Sequence, residues 1–367
     1  MKEKKYTCDI CHEEHDLSEL TYFDESYLCE DCLRRETFIC RDCGDRHWND
    51  DSADGDLCQT CYDEDYVRCE RCDAVIHYDD ACYHEDEEYH DHPYCRDCFD
   101  MDEIIHDYYY KPEPIFYGDG PRYLGVELEL DDGGENEFCA SKLLDIANAQ
   151  KEHMYIKHDG SLDDGFECVT HPMTLDYHIN QMPWRAILNK AVAKGYLSHQ
   201  AGTCGLHVHI SRNALGANYE EQEATIAKIL YFYEKFWNEI LTFSRRTESQ
   251  AEHWARRYGG GIINPKETLK HAKNSHMGRY AAVNLENEAT IEMRIFRGTL
   301  KYNTFIATLQ MVDEICKVAI SLSDEFMQGL TWLDFVKGIA DGKQELINYL
   351  KEKRLYVNEP IRNEVEI

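Results

Sequence analysis

The chain has 367 residues, enough for more than one core, with 71 Asp and Glu against 39 Lys and Arg and a formal net charge of −32. That balance argues against general binding to nucleic acid or to an anionic membrane surface, both of which need clustered cations. No run reaches the roughly 18 apolar residues of a membrane span, and the start, MKEKKYTCDI, lacks the apolar stretch of a signal peptide. The 17 cysteines are therefore expected to act as metal-bound thiolates in a reducing cytoplasm rather than as disulfides.

Thirteen of these cysteines fall in the first 98 residues, and twelve form Cys-x-x-Cys pairs. In order, the pairs are Cys8/Cys11, Cys29/Cys32, Cys40/Cys43, Cys58/Cys61, Cys69/Cys72 and Cys95/Cys98. Their starts repeat at about 30 residues with two pairs per unit. One pair offers two thiolates from a tight knuckle, and two pairs complete a closed tetrahedral site. Residues 1–100 are thus expected to form three structural Zn²⁺ modules, each with four Cys ligands. Iron–sulfur binding fits evenly paired units less well. In the third unit Cys82, His77, His84, His90 or His92 could replace a ligand. The spacing resembles treble-clef or LIM-like modules. Acids dominate this head, so it reads as a protein- or peptide-recognition module, with a purely stabilising appendage as the alternative. Cys139, Cys168, Cys204 and Cys316 are isolated and read as small buried apolar residues.

Residues 101–121 carry three prolines and several tyrosines, a composition suited to an extended linker. The second domain, 122–320, opens with RYLGVELEL. Strict alternation puts Glu127 and Glu129 on one strand face and Val126, Leu128 and Leu130 on the other. Two adjacent carboxylates need a cation or a proton between them. A helix follows over Glu137–Gln150, then a turn-rich loop into FECVT, which carries Glu167, and a helix over Ile179–Ala193. GLHVHIS places His207, His209 and Ser211 on one face. Tyr219–Phe243 reads as one long helix with a core-facing aromatic stripe. Arg256–Lys270, rich in Gly and basic residues, reads as a lid. IEMRIF turns Glu292 and Arg294 away from Ile291, Met293 and Ile295. Helices over Asn303–Ser321, Trp332–Ala340 and Gln344–Glu352 follow, with 321–367 as a C-terminal helical region. The order predicts an α+β domain. One antiparallel sheet would be covered by helices on one face and present a charged, metal-binding floor on the other.

Five stretches in this order, GVELEL, KHDGSLDDGFECVTHP, CGLHVHIS, RYAAVNL and EMRIFRGT, resemble the amidoligase family. That family is related to glutamine synthetases and glutamate–cysteine ligases, with members in phages, bacteria and fungi. The resemblance covers about 122–320 and implies a glutamine synthetase-like catalytic domain. The activity implied is that of an ATP-dependent carboxylate–amine ligase using Mg²⁺. By that resemblance Glu127, Glu129, Glu167 and Glu292 are metal ligands. Arg294, His207 and His209 are catalytic, with Arg294 also binding phosphate. Asp159 and Ser161 contact substrate or nucleotide, and Arg279 and Arg297 hold a phosphate or carboxylate. No Gly-rich loop ending in Gly-Lys-Ser/Thr is present, and the family does not use one. A placement in the cytoplasm, a host's if the gene is a phage's, goes with it.

Two rival readings stand beside the ligase. A metal-dependent hydrolase would use His207, His209 and Glu127 to bind zinc, although HExxH is missing. A zinc-rich adaptor would carry a second domain without catalysis. The expected partner of the ligase is a peptide or protein substrate recruited by the head.

Overall fold

The computed structural model describes residues 5–83, 92–99, 103–259, 264–275 and 277–357. The chain divides into two compact units, Met1–Asp102 and Glu103–Ile367.

The first unit repeats one small motif. A hairpin such as Thr37–Ile39 with Arg46–Trp48 carries the first Cys pair in its turn. A second hairpin, Ser52–Asp54 with Leu57–Cys58, runs into the helix Gln59–Asp65, which carries the second pair. Leu20–Phe23, Ser26–Cys29 and the helix Glu30–Glu36 do the same before it. In the turns, His12, Gly44 and Asp73 take positive φ, and their N–H groups donate to Cys8, Cys40 and Cys69 carbonyls. Neighbouring modules are stapled by side chains. Trp48 packs on Phe23 with ring centroids 5.2 Å apart and donates its indole N–H to Asp24 at 2.6 Å. The three buried clusters are little more than the cysteines plus Leu28, Leu57 and Tyr94, too little apolar surface to stabilise about 100 residues without a crosslink.

The second unit is built on a seven-stranded sheet. Its strands are β1 (Ile105–His106), β2 (Leu124–Leu130), β3 (Met154–Lys157), β4 (Phe166–Thr170), β5 (Leu206–Ser211), β6 (Val283–Asn284) and β7 (Thr290–Met293). Their spatial order is β1-β3-β4-β2-β5-β7-β6. All neighbours are antiparallel except β1 with β3. The mixed helix-and-sheet class is as the sequence predicts. Val126, Leu128, Phe166, Cys168, Val208 and Met293 are buried to 1% exposure or less, in one cluster with the covering helices. Cys204 and Cys316 are fully buried too, while Cys139 is half-buried.

Several boundaries differ from the periodicity reading. Residues 103–121 belong to the second unit and supply β1, and Tyr117 packs in its core. The expected helix over Ile179–Ala193 is two, Leu175–Asn180 and Trp184–Ala193, broken at Pro183, which cannot continue a helix. Tyr219–Phe243 breaks at Phe236 into Tyr219–Lys235 and Trp237–Ser244. The expected lid is partly a helix, Pro265–Asn274, packed on Tyr219–Lys235. Asn264 caps it by accepting the Glu267 N–H, and Pro265 sits in its first turn. Residues 260–263 of that stretch lie outside the described ones. At the C-terminal end, Lys343 Nζ lies 2.7 Å from both Asp313 and Glu314, tying the last helices to Tyr302–Ser321. Among the described residues no helix is long and apolar enough to cross a membrane.

His178 anchors the start of β2. It is fully buried; Trp184 Nε1 donates to its Nδ1 at 3.2 Å, so Nε2 carries the proton that bonds the Leu124 carbonyl at 3.0 Å. Burial pushes its pKa down to about 4, against the opposing pull of that carbonyl. The unfolded state therefore takes up the proton first, near pH 6.5. The His178 contribution is complete above that pH and is lost as pH falls towards about 4. Between pH 7 and 5 the stability advantage of wild type over His178→Asn should shrink by about 2 kcal/mol in urea unfolding. An advantage that stays constant would mean the buried imidazole is already protonated.

Candidate metal modules and carboxylate floor

Each head module brings four sulfurs together: Cys8, Cys11, Cys29 and Cys32; Cys40, Cys43, Cys58 and Cys61; Cys69, Cys72, Cys95 and Cys98. Within a group all four lie within 4.8 Å of one another. Cys11 and Cys29 are 3.9 Å apart, and Cys72 and Cys95 3.8 Å. A disulfide needs about 2.05 Å. A tetrahedral zinc with Zn–S near 2.3 Å has sulfur edges of about 3.8 Å, so the donor set fits that ion. The first cysteine of each module is prepared as a thiolate. Burial pushes the Cys8 and Cys40 thiols up, but surrounding backbone N–H donors outweigh it and bring both down to about 6. The Cys29 and Cys58 N–H groups reach those sulfurs at 3.3 and 3.4 Å. In the third module the alternative ligands make other contacts. His77 accepts the Asp79 N–H at 3.2 Å, the Cys82 sulfur faces the Asp80 carbonyl, and His92 lies 4.0 Å from Glu70. His84 and His90 lie outside the described residues.

In the second unit, strand register assembles the floor. Glu127 on β2 stands opposite His207 on β5, and Glu129 stands opposite Glu167 on β4. His209 stands opposite Glu292 on β7, and Glu292 opposite Asn284 on β6. Lys157 on β3 faces Glu167 directly, its Nζ 3.1 Å from the carboxylate. His207 sits among three acids: Nδ1 is 3.3 Å from Glu127 and 3.5 Å from Glu292, and Nε2 is 3.6 Å from Glu129. His209 Nε2 is 3.0 Å from the other Glu127 oxygen. Arg294 Nη1 is 2.5 Å from Glu292, and Asn284 donates to the same carboxylate at 2.9 Å. The Gly205 N–H donates to Glu129. Only glycine fits there, because an added Cβ would lie 2.4 Å from His207 Nε2.

The electrostatics divide the acids into two kinds. Burial raises the Glu127 carboxyl, but the imidazoles of His209 and His207 overcome it and hold it well below the usual range. Glu292 is likewise lowered against its burial, by His209 and Arg294. Burial would lower the His209 imidazole, but Glu127 and Glu292 raise it above its ordinary value. Glu129 and Glu167 go the other way. Burial pushes both up, and the neighbouring carboxylates add to it, Asp159 at Glu129 and Glu127 at Glu167. Facing carboxylates that resist ionisation together are a donor set short of a cation. Glu127, His207 and Glu292 offer ligand atoms close enough for one ion. With Glu129 and Glu167 beside them the site is oxygen-rich, as a hard divalent cation requires.

This floor is the base of a cavity of about 260 Å³. Asp159 and Ser161 line it, and the Asp159 side chain accepts the Ser161 N–H at 2.8 Å. Arg279 lines it as well and donates to Tyr108. Arg297 does not line it. Among the lining residues that escaped the sequence reading are Lys157, Arg246 and Tyr108. Lys157 ends the four-residue strand MYIK, too short for its alternation to be read in advance. Arg246 carried no local signal either, because it follows a helix end and enters the site only through the fold. It is 6% exposed, bonds the Ile295 carbonyl through Nε at 3.1 Å, and keeps Nη1 without a partner. Burial lowers its pKa to about 10, which leaves it charged at neutral pH. Arg294 Nε is also buried without a partner.

Residues 145–316 match the family described as "Putative amidoligase enzyme". The matched segment holds Asp159, Ser161, Glu167, His207, His209, Arg246, Arg279, Glu292 and Arg294, so most of the cavity wall falls within the match. Glu127 and Glu129 precede the matched residues and join them through pairing of β2 with β4 and β5. The head lies outside the match. No curated protein matches the chain.

Metal analysis of the reduced, purified chain should return about three zinc per chain. Cys8→Ser combined with Cys32→Ser should remove about one and leave the other two. Zinc content that is unchanged in the double variant would take the first module off the list of metal sites.

Proposed function

We propose that the second unit is an ATP-dependent carboxylate–amine ligase, working through an acyl phosphate on a peptide or protein substrate. The observation that carries the reading is the pairing, on one buried floor within an amidoligase segment, of cation-short carboxylates with two arginines that hold unpartnered N–H donors. The first is a site for hard cations and the second a site for phosphoryl oxygens.

A carboxylate is a poor acyl donor because its leaving group would be oxide. Phosphorylation by the γ-phosphoryl group of ATP makes that oxygen a phosphate leaving group, and ADP departs. An amine then attacks the acyl carbon, the C–O bond to phosphate breaks, and an amide and inorganic phosphate result. Mg²⁺, when bound by Glu127, Glu129, Glu167 and Glu292, supplies the charge that the triphosphate needs neutralised. The remaining work falls to the chain's own groups. Arg294 and Arg246 offset charge on the transferring phosphoryl oxygens. Lys157 steadies Glu167, and the Gly205 N–H orients Glu129. His209, 3.0 Å from Glu127 and opposite Glu292 in the sheet, helps fix those two acids in place. His207, flanked by three carboxylates, is assigned to receive the proton released by the attacking amine. Asp159 and Ser161 position the loop over the floor.

The head, with three structural Zn²⁺, is assigned to substrate recruitment. A second binding site raises local substrate concentration, and the acidic surface of the head suits a basic segment that carries lysine amines.

Glu129→Gln keeps the size of the side chain and removes a hard anionic ligand. Amine-dependent, Mg²⁺-dependent ADP release should fall by about 100-fold or more, with zinc content unchanged. Unchanged release in Glu127, Glu129, Glu167 and Glu292 variants alike would return the floor to a structural acidic surface. Peptide cleavage without nucleotide would favour the hydrolase. Partner capture by the head with neither activity would favour the adaptor.

A chain beginning at Glu103 tests recruitment, because the unit with its own core starts there. On one polypeptide substrate, its apparent KM should rise while kcat changes little. Equal KM values would end the recruitment idea and leave the ligase assignment in place.

A further inference from the structure

The second unit holds a larger cavity that the chemistry above does not use, about 710 Å³ against about 260 Å³ over the floor. Its size is that of a small-molecule pocket. The helices Tyr219–Lys235 and Pro265–Asn274 line one side, the turn that joins β6 to β7 lines the other, and Ser211, Arg212 and Asn213 line it at the end of β5. Arg212 holds the turn in place. Its Nη2 donates to the Leu285 carbonyl at 2.8 Å and its Nε to the Asn287 carbonyl at 3.2 Å. Glu286, in that turn, lines both cavities, so the turn is a partition between them. The Glu286 carboxylate rests against Gly278, where an added Cβ would lie 3.5 Å from Oε1. The Glu286 N–H donates to the Asn284 side chain at 2.9 Å, and Asn284 donates in turn to Glu292 on the floor.

The charged groups of the larger cavity sort into engaged and unengaged ones. Arg212 Nη1 lies 3.8 Å from Glu223, and Lys273 Nζ donates to Glu223 and, at 3.4 Å, to the Tyr219 hydroxyl. Both cations of the wall are thus tied to one carboxylate. The carboxylates of Glu286 and Glu288 pair with no cation among the described residues. Between these groups the wall is apolar. Ile226 and Ala272 are buried, and the buried Tyr258 turns its hydroxyl away to donate to the Val283 carbonyl at 2.9 Å. The charge left over can only accept hydrogen bonds. An apolar wall ending in two such acceptors suits a methylene stem with a cationic tip. A carboxylate or phosphate entering here would meet like charge.

We propose that this cavity seats a primary alkylammonium chain, a lysine side chain or a free diamine, with its nitrogen on Glu286 and Glu288. Each contact is a charge-assisted hydrogen bond. Glu286 puts that nitrogen at the border of the floor, the side from which an attacking amine then approaches. The approach rests on the ligase reading; the binding does not.

Calorimetric titration of the full chain without Mg²⁺ or nucleotide, using Nα-acetyl-lysine methylamide and separately cadaverine, tests it. Nα-acetyl-norleucine methylamide keeps the stem and lacks the charge, and should bind at least about tenfold more weakly than the lysine probe. Glu286→Gln should weaken amine binding about tenfold, the loss expected for one charge-assisted bond. Glu288 lines the larger cavity alone, and Glu288→Gln should weaken it about threefold. Glu129→Gln, which alters the floor, should leave it within about twofold. The lysine probe alone binding in this pattern identifies a peptide-borne amine, cadaverine alone a free one, and both a general alkylammonium seat. With ATP and Mg²⁺ added, Glu286→Gln should raise the KM for the amine in ADP release. Binding in this pattern without any ADP release keeps the seat and overturns the ligase reading. ADP release with an unchanged amine KM does the reverse for the approach. Binding of neither amine, equal binding of the lysine and norleucine probes, or binding lost in Glu129→Gln and retained in Glu286→Gln and Glu288→Gln overturns the proposal.

Discussion

The second unit depends on how one strand is gripped. β2 lies between β4 and β5, and its register sets Glu129 against Glu167 and Glu127 against His207. Like charges directly opposite one another destabilise a sheet, and burying an ion costs several kcal/mol before any pairing. Glu129 and Glu167 meet both conditions at 4% and 2% exposure. The pairing is held by everything around it. Lys157 sits on one carboxylate and the Gly205 N–H on the other, while His207 bridges towards Glu127 and Glu292. On the opposite face, Val126, Leu128 and Leu130 are locked into the helical core. Slipping β2 by one residue would turn those apolar side chains onto the floor and the acids into the core. The hydrophobic face therefore enforces the strained polar one.

The head solves a different problem by a different route. Its three clusters contain almost no aliphatic surface, and the cysteines themselves are the buried core. In each module one pair comes from a turn closed by a positive-φ residue, and the other straddles the start of a helix. Backbone N–H groups in both places point at sulfur and favour the thiolate. Local backbone geometry thus prepares the charge state that a metal requires, and the metal replaces the missing hydrophobic core.

Two kinds of cation–anion arrangement share the second unit. On the floor, arginine and carboxylate are interleaved, as at Arg294 and Glu292. At the end of the Trp237–Ser244 helix, Arg245 instead donates to the Arg297 carbonyl. The difference traces to backbone direction. The strand end Arg294–Arg297 leaves the sheet beside Gly205, so its first arginine meets the acids of the floor and its last meets the arginine of a helix end. One short sequence run thereby supplies two arginines with different partners, and both lie near Arg246.

The sequence by itself determined the local features: six Cys pairs, the alternation that separates Glu127 and Glu129 from a greasy face, the His207/His209 strand, and the Glu292/Arg294 strand. These were legible because a period of two or a Cys-x-x-Cys knuckle is decided within a few residues. The four floor strands and the sheet class followed from the same pattern. Short strands such as β1 and β3 were not legible, since two to four residues carry too little periodicity beside proline- and turn-rich neighbours. The capped helix at Pro265 was hidden under a glycine-rich approach. Only the tertiary structure decided which acid faces which base, because the floor pairs residues such as Glu127 and His207 across 80 positions of chain. It alone brought in Lys157 and Arg246 and separated Arg297 from Arg294, since pairing register and helix-end direction are set by burial of the opposite face, which no local pattern encodes.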